Sequence, residues 1–222
     1  MRGEGVPIHE TAMPLRAHAL ILAAGQGRRF GGSKLHALYR GRPLLSYVLD
    51  VVGVARTRGL LDGGHVVVAA GDERALTLAR AYGLDAVIND APELGLSHSV
   101  RLGLAELEAG TIDETGAALV FLGDQPLVRI EVVEALVAKG GSIVRPRYQA
   151  RPDAPGHPVL LARSIWARAL QLEGDRGFGA LLDSSSPEVV TLDVTGDNPG
   201  VDTGADLNAL EGFRDPRLVC DQ

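Results

Sequence analysis

Leu22-Ala23-Ala24-Gly25-Gln26-Gly27-Arg28-Arg29-Phe30-Gly31-Gly32-Ser33-Lys34 is the stretch on which the fold turns. It follows an apolar run, Ala19 to Ala24, whose unbroken hydrophobicity suits a strand buried on both faces. A glycine-rich turn directly after such a strand is where parallel α/β folds present ligands, because glycine lets the backbone approach a phosphate closely. The loop is not a P-loop: its lysine does not directly follow the glycine, and no Ser or Thr comes after it. It also misses the dinucleotide fingerprint. Gly25 and Gly27 fit, but Phe30 holds the third glycine position and Gly31 comes one residue late. Asp50, the nearest acidic residue for a ribose, sits inside a predicted helix. What the loop carries instead is Arg28, Arg29 and Lys34, three cations suited to the several charges of a triphosphate. A surface loop with solvated charges is the plainer alternative.

Outward from the loop, short apolar runs alternate with segments of helical period, the pattern of an α/β domain. Leu44, Val48, Val51 and Ala55 share one helical face, with Pro43 suited to the first turn. Strands are predicted at Val66 to Ala70, Ala86 to Ile88 and Ala117 to Leu122. Helices are predicted at Glu73 to Tyr82, at Ser97 to Glu108, and around Ile130, Val133, Leu136 and Val137. After Ile143 the pattern loosens into a loop rich in Pro and Arg that runs to Pro158, followed by the short apolar run Val159 to Leu161. A strand at Val189 to Val194 and helices at Arg163 to Gln171, Phe178 to Leu182 and Ala205 to Phe213 complete the expectation. Residues 1–17 are expected to form a mobile extension, and residues 18–222 a single domain.

Composition narrows the function classes. The 222 residues are 45% hydrophobic and 23% charged, enough for one full core. The formal charge of −6 argues against nucleic acid or an anionic membrane as a general partner. Apolar runs fall far short of the roughly 20 residues needed to span a bilayer. A single cysteine, Cys220, excludes an intrachain disulfide and a cysteine-rich metal site, and a reducing cytoplasm fits.

Two aspartates stand out. Asp124, in Leu122-Gly123-Asp124-Gln125-Pro126, lies just past a predicted buried strand, so its carboxylate can emerge at the same sheet edge as the glycine-rich loop. Asp202, in Val201-Asp202-Thr203-Gly204-Ala205-Asp206-Leu207, precedes the last predicted helix and could complete an oxygen-ligand site for magnesium, which binds one or two carboxylates plus phosphates and waters. Taken alone, each is equally readable as an N-cap or Asx-turn residue.

With the loop, these segments resemble the MobA-like family of nucleotidyltransferases. Gly95-Leu96-Ser97-His98-Ser99-Val100-Arg101, Gly156-His157-Pro158-Val159-Leu160 and Gly174-Asp175-Arg176-Gly177 are similar to the branch containing the CTP:molybdopterin cytidylyltransferases. The resemblance implies a three-layer nucleotide-diphospho-sugar transferase fold, GT-A-like and Rossmann-type, with a mostly parallel mixed sheet. It further implies that Ala23, Ala24, Gly25 and Gly27 line the nucleotide, that Arg29 and Lys34 hold phosphates, and that Ser99 contacts the base. Asp124 and Asp202 would bind magnesium, while His157, Asp175 and Arg176 would face the acceptor. Ala24, where the GTP-using branch typically has Gly, favours a pyrimidine nucleotide. His98 and Phe178 depart from the branch's pattern, and His157 is equally readable as a histidine satisfied at a turn.

The implied partners are CTP, a small phosphorylated acceptor such as molybdopterin, and a molybdoenzyme that takes the product. A sugar phosphate would fit the same loop and aspartates. A nicotinamide-dependent oxidoreductase and a non-catalytic cofactor carrier are the rivals from other classes.

Overall fold

A computed structural model describes residues 16–110, 116–183 and 185–212. Residues 1–15, on which the expected extension falls, Phe213, Cys220 and the side chains of Asp175 and Arg176 lie outside the described part. Strand β1 (Ala17–Ala23) starts two residues earlier than the apolar run suggests, because Ala17 O accepts the Asp62 amide at 2.9 Å and Arg16 O the Gly116 amide at 2.8 Å. The element that follows the loop is a single 3-10 turn, Lys34–His36. A short hairpin, β2 (Leu38–Tyr39) and β3 (Arg42–Pro43), then leads into helix α1 (Leu44–Thr57), with Pro43 at the N-cap.

Three further βα steps proceed as the periodicity predicts. They place β4 (Gly63–Ala69), α2 (Glu73–Ala81), β5 (Asp85–Asn89), α3 (Leu96–Ala109), β6 (Ala117–Leu122) and α4 (Ile130–Lys139) in order. The segment after Ile143, expected as a loop, opens instead with strand β7 (Ile143–Tyr148), despite Pro146 at its centre. Alternation of the backbone N–H groups between the two edges explains the tolerance. The amides of Ile143 and Gln149 both donate toward the next strand, to Glu188 O at 3.3 Å and Val194 O at 2.9 Å. Pro146, at an even position, therefore turns its missing N–H to the opposite edge, where pairing is confined to Ile143 and Val144. Strand β8 (Val159–Ala162), helices α5 (Arg163–Ala169) and α6 (Gly174–Leu181), strand β9 (Val189–Val194) and helix α7 (Gly204–Glu211) complete the chain.

The seven-stranded sheet has the order β5-β4-β1-β6-β8-β7-β9. Only β8 runs against its neighbours, so the sheet is mixed but mostly parallel. The period of two in β1 divides the core. Ala17, Ala19, Ile21 and Ala23 pack on the side of α1, α2 and α4, and Leu20, Leu22 and Ala24 on the side of α3, α5 and α6. This gives helices on both faces of one sheet. α3 lies against β1 so closely that a Cβ on Gly103 would meet Leu20 Cδ1 at 2.1 Å. A third, smaller cluster of Tyr39, Leu44, Tyr47, Leu127, Val201 and Leu210 fastens the hairpin and α7 beside the loop end of the sheet. Among the described residues no helix is long and apolar enough to cross a membrane.

Candidate active site

β1 and β6 are parallel neighbours, with Leu22 beside Leu122, so the glycine-rich loop and the Asp124 turn leave the sheet at the same edge. The amide of Gly123 donates to Leu22 O at 3.0 Å and locks the two exits together. Gly27 sets the loop's shape. Its φ of +58° is left-handed, its carbonyl accepts the amides of Phe30 and Gly31 at 2.9 and 3.1 Å, and a Cβ there would meet Gly32 O at 2.0 Å. Gly25, by contrast, has open space around it.

Asp202 reaches the same place from the far end of the chain. The amide of Val201 donates to Asp124 O at 3.1 Å, tying one aspartate segment directly to the other. The capping alternatives do not hold. Thr203 is the N-cap of α7 and forms a capping box with Asp206, and Arg129 occupies the N-cap position of α4. Neither Asp124 nor Asp202 is used as a helix cap.

Both carboxylates meet one nitrogen instead. Lys34 Nζ lies 2.5 Å from Asp124 Oδ2 and 2.8 Å from Asp202 Oδ1, and Arg29 Nη2 is 3.0 Å from Asp202 Oδ2. Burial of the Lys34 ammonium works to lower its pKa, but Asp124 and then Asp202 outweigh it, so the net shift is upward and the group stays charged. Lys34 neutralises both carboxylates, and their oxygen donors would also suit magnesium or manganese. Among the described residues no third His, Cys, Asp or Glu joins them, so phosphate oxygens and waters would have to complete the shell of a bound metal.

These groups line one side of an open cavity of about 700 Å³, within the size range of small-ligand sites. Ala24, Gly25, Gly27, Arg29 and Lys34 line it, together with Ser99, Asp124 and Asp202. Ala23 does not reach it: its side chain falls on the odd face of β1 and packs into the core. His157 does not reach it either. Its imidazole is buried, 6.0 Å from the Phe178 ring, and beside Pro158 and Asn198 in a separate small hollow. Desolvation pushes its pKa down to about 4, so the ring is neutral near pH 7. Phe178 departs from the branch's pattern because it is a core residue, 1% exposed, whose amide donates to Ser97 Oγ at 3.0 Å. The other departing residue, His98, pairs through Nδ1 with Arg101 at 3.1 Å.

Sequence reasoning missed Arg151 and Gln125 on the cavity wall. Arg151 lies just past β7, in the segment expected to be loop, where nothing in its spacing set it apart from Arg145 and Arg147. Asn89, the last residue of β5, was also missed. It is fully buried and donates to Ser99 Oγ at 3.0 Å.

A glycine-shaped loop with basic side chains, facing two carboxylates across the open ends of parallel strands, defines a nucleotide-handling site of the α/β transferase type. Residues 19–189 match the MobA-like NTP transferase domain, and the chain belongs to that family. Among curated relatives, the bifunctional protein GlmU of Paracidovorax citrulli is 35% identical over 126 residues, covering 55% of this chain and 25% of that protein. GlmU of Rhizorhabdus wittichii is 34% identical over 171 residues, covering 74% and 33%. The chain thus spans a quarter to a third of these relatives. Among solved structures, Rv0371c from Mycobacterium tuberculosis H37Rv is similar at a TM-score of 0.74 with 29% identity, covering 90% of this chain and 100% of that one. A manganese complex of Rv0371c matches at 0.71 and 28%, covering 87% and 97%.

Proposed function

We propose that the chain transfers CMP from CTP to a phosphorylated acceptor of the molybdopterin type, with release of pyrophosphate and dependence on magnesium. The observation that carries this reading is the convergence of Lys34, Asp124 and Asp202 at the loop end of β1. The acceptor's phosphate oxygen attacks the α-phosphorus of CTP, a new P–O bond forms, and the bond to the bridging oxygen of the β-phosphate breaks. A phosphate monoester with a second pKa near 6 is already largely dianionic at pH 7, so the acceptor needs no general base. The chain's work is positioning and charge neutralisation.

Arg29 and Lys34 supply positive charge to the triphosphate, and the loop's backbone amides approach its oxygens. Asp124 and Asp202 would hold a divalent cation, which when bound neutralises charge on the phosphates. The manganese complex of Rv0371c supports such an ion. Ala24, buried at the cavity wall, supports a pyrimidine base by narrowing the space beside it. The product would pass to a molybdoenzyme in the cytoplasm.

The direct test is pyrophosphate release from each of the four NTPs, with magnesium and with molybdopterin or a sugar phosphate as acceptor. Release from CTP with molybdopterin is expected. Turnover only with a sugar phosphate would keep the transferase and replace the acceptor.

A further inference from the structure

We infer that Gln125 and Arg151 form a second oxyanion site in the cavity, apart from the glycine-rich loop, that takes the phosphate monoester of the acceptor; this rests on the nucleotidyl-transfer reading.

Fixed amide orientations carry the inference for Gln125. Asn198 Nδ2 lies 3.3 Å from His157 O, and since a carbonyl can only accept, the nitrogen end of the Asn198 side chain is settled. The same nitrogen donates to Gln125 at 3.2 Å, so the end of Gln125 that meets it is Oε1. Gln125 Nε2 is therefore the end turned away from Asn198. Unlike a hydroxyl, an amide nitrogen can only donate, so the group it meets must be an acceptor. It opens on the space beside Asp124: Gln125 Nε2 and Asp124 Oδ2 each lie 3.9 Å from the point that a Cβ on Gly200 would occupy. Asn198 is 5% exposed, which makes it a rigid support.

Arg151 is held by the residue next to Asn198. Its Nε donates to Asp197 Oδ2 at 3.1 Å, while Oδ1 of that carboxylate accepts the Asn198 amide at 2.8 Å. The Asp197 side chain is buried, whereas that of Arg151 is half-exposed and lines the cavity with Gln125. A carboxylate that grips Nε leaves the guanidinium its Nη hydrogens, a fork suited to phosphate. Two adjacent residues thus orient two donor-only groups, one of them cationic.

Sheet order and charge separate these groups from the rest of the lining. Arg28, Arg29 and Lys34 follow β1, whereas Gln125 follows β6 and Arg151 follows β7, successively further along one side of the sheet. On the other side of β1, the lining residues Pro92, Glu93, Gly95, Leu96 and Ser99 include a carboxylate and no cation. A second anion is therefore best held at Gln125 and Arg151. In-line transfer needs the attacking phosphate to approach from the side away from the leaving pyrophosphate, and a second oxyanion site beside Asp124 meets that need.

The test titrates inorganic phosphate, as the probe, into protein whose loop is occupied by magnesium and α,β-methylene-CTP, followed by phosphorus NMR. The acceptor KM is read in parallel by pyrophosphate release with molybdopterin or a sugar phosphate. Gln125→Met and Arg151→Met should each weaken phosphate and raise the acceptor KM about tenfold, the scale of one charge-assisted hydrogen bond, with CTP affinity by calorimetry unchanged. Arg151→Lys should recover part of the loss through charge alone. Asn198→Asp should reproduce the Gln125→Met loss, because a carboxylate there turns the Gln125 amide end for end, and the pair should lose no more than Gln125→Met alone. Unchanged phosphate affinity and acceptor KM in both methionine variants would overturn the inference, whether or not Asn198→Asp folds. So would a loss confined to CTP, which would assign both groups to the triphosphate. A wild type that binds no CTP would instead defeat the transferase reading itself.

Discussion

Lys34 Nζ and Asp124 Oδ2 stand 2.5 Å apart although their residues are 90 positions apart in sequence, and this pair joins the glycine-rich loop to the turn after β6. The ammonium holds the position that a metal would claim between Asp124 and Asp202. Its removal should therefore have two opposite effects. Lys34→Met should cut turnover about a hundredfold, the usual cost of about 3 kcal/mol for one transition-state charge contact. The same variant should bind manganese more tightly in the absence of nucleotide, as read by electron paramagnetic resonance. Wild-type turnover together with unchanged CTP affinity would remove Lys34 from the phosphate site.

Gly27 tests the loop's shape separately from its charge. Gly27→Ala must both hold a left-handed φ of +58° and displace Gly32 O, which its Cβ would meet at 2.0 Å. The conformation alone costs about 1–2 kcal/mol, and the clash is with backbone that cannot swing aside. CTP binding should be lost by calorimetry. Gly31→Ala, at φ +83° with open space around it, should pay only the conformational cost and retain measurable binding.

Ala24 tests base size. Ala24→Gly should raise kcat/KM for GTP relative to CTP by up to about tenfold, the scale of one methyl group in a pocket. A wild-type preference for GTP would contradict the cytidylyl assignment.

His157 gives a pH dependence. Its pKa falls from 6.5 to about 4 on folding, so between those values the unfolded chain binds the proton that the folded chain refuses. Stability from this group is complete above about pH 6.5 and is lost as pH falls toward 4, by about 3 kcal/mol over the window. Thermal melts of His157→Gln should show a flatter decline over that interval than the wild type. Equal slopes would show that the histidine is not held neutral.

Much of this architecture is legible in the sequence, for identifiable reasons. β6 matches residue for residue, because Ala117 to Leu122 is an apolar run bounded by glycines. The Asp124 exit follows from it, since parallel strands end at one edge. β7 was hidden because Pro146 is a strand breaker wherever its missing N–H is needed, and only the sheet order shows that here it is not. The family resemblance carries Ala23 into the site together with Ala24, whereas the two-residue period of β1 sends their side chains to opposite faces. Asn89 carried no motif at all. Its hydrogen bond to Ser99 comes from the crossover that lays the end of β5 against the first turn of α3, a proximity that sequence separation alone does not reveal.

The two carboxylates that Lys34 holds together should be inert without a divalent ion. The most direct measurement is pyrophosphate release from CTP by the wild type, Asp124→Asn and Asp202→Asn, each with magnesium and with excess chelator. Turnover is expected in wild type with magnesium alone, a loss of several orders of magnitude in either variant at unchanged melting temperature, and the same loss in wild type under chelator. Full wild-type activity in excess chelator would contradict the metal requirement.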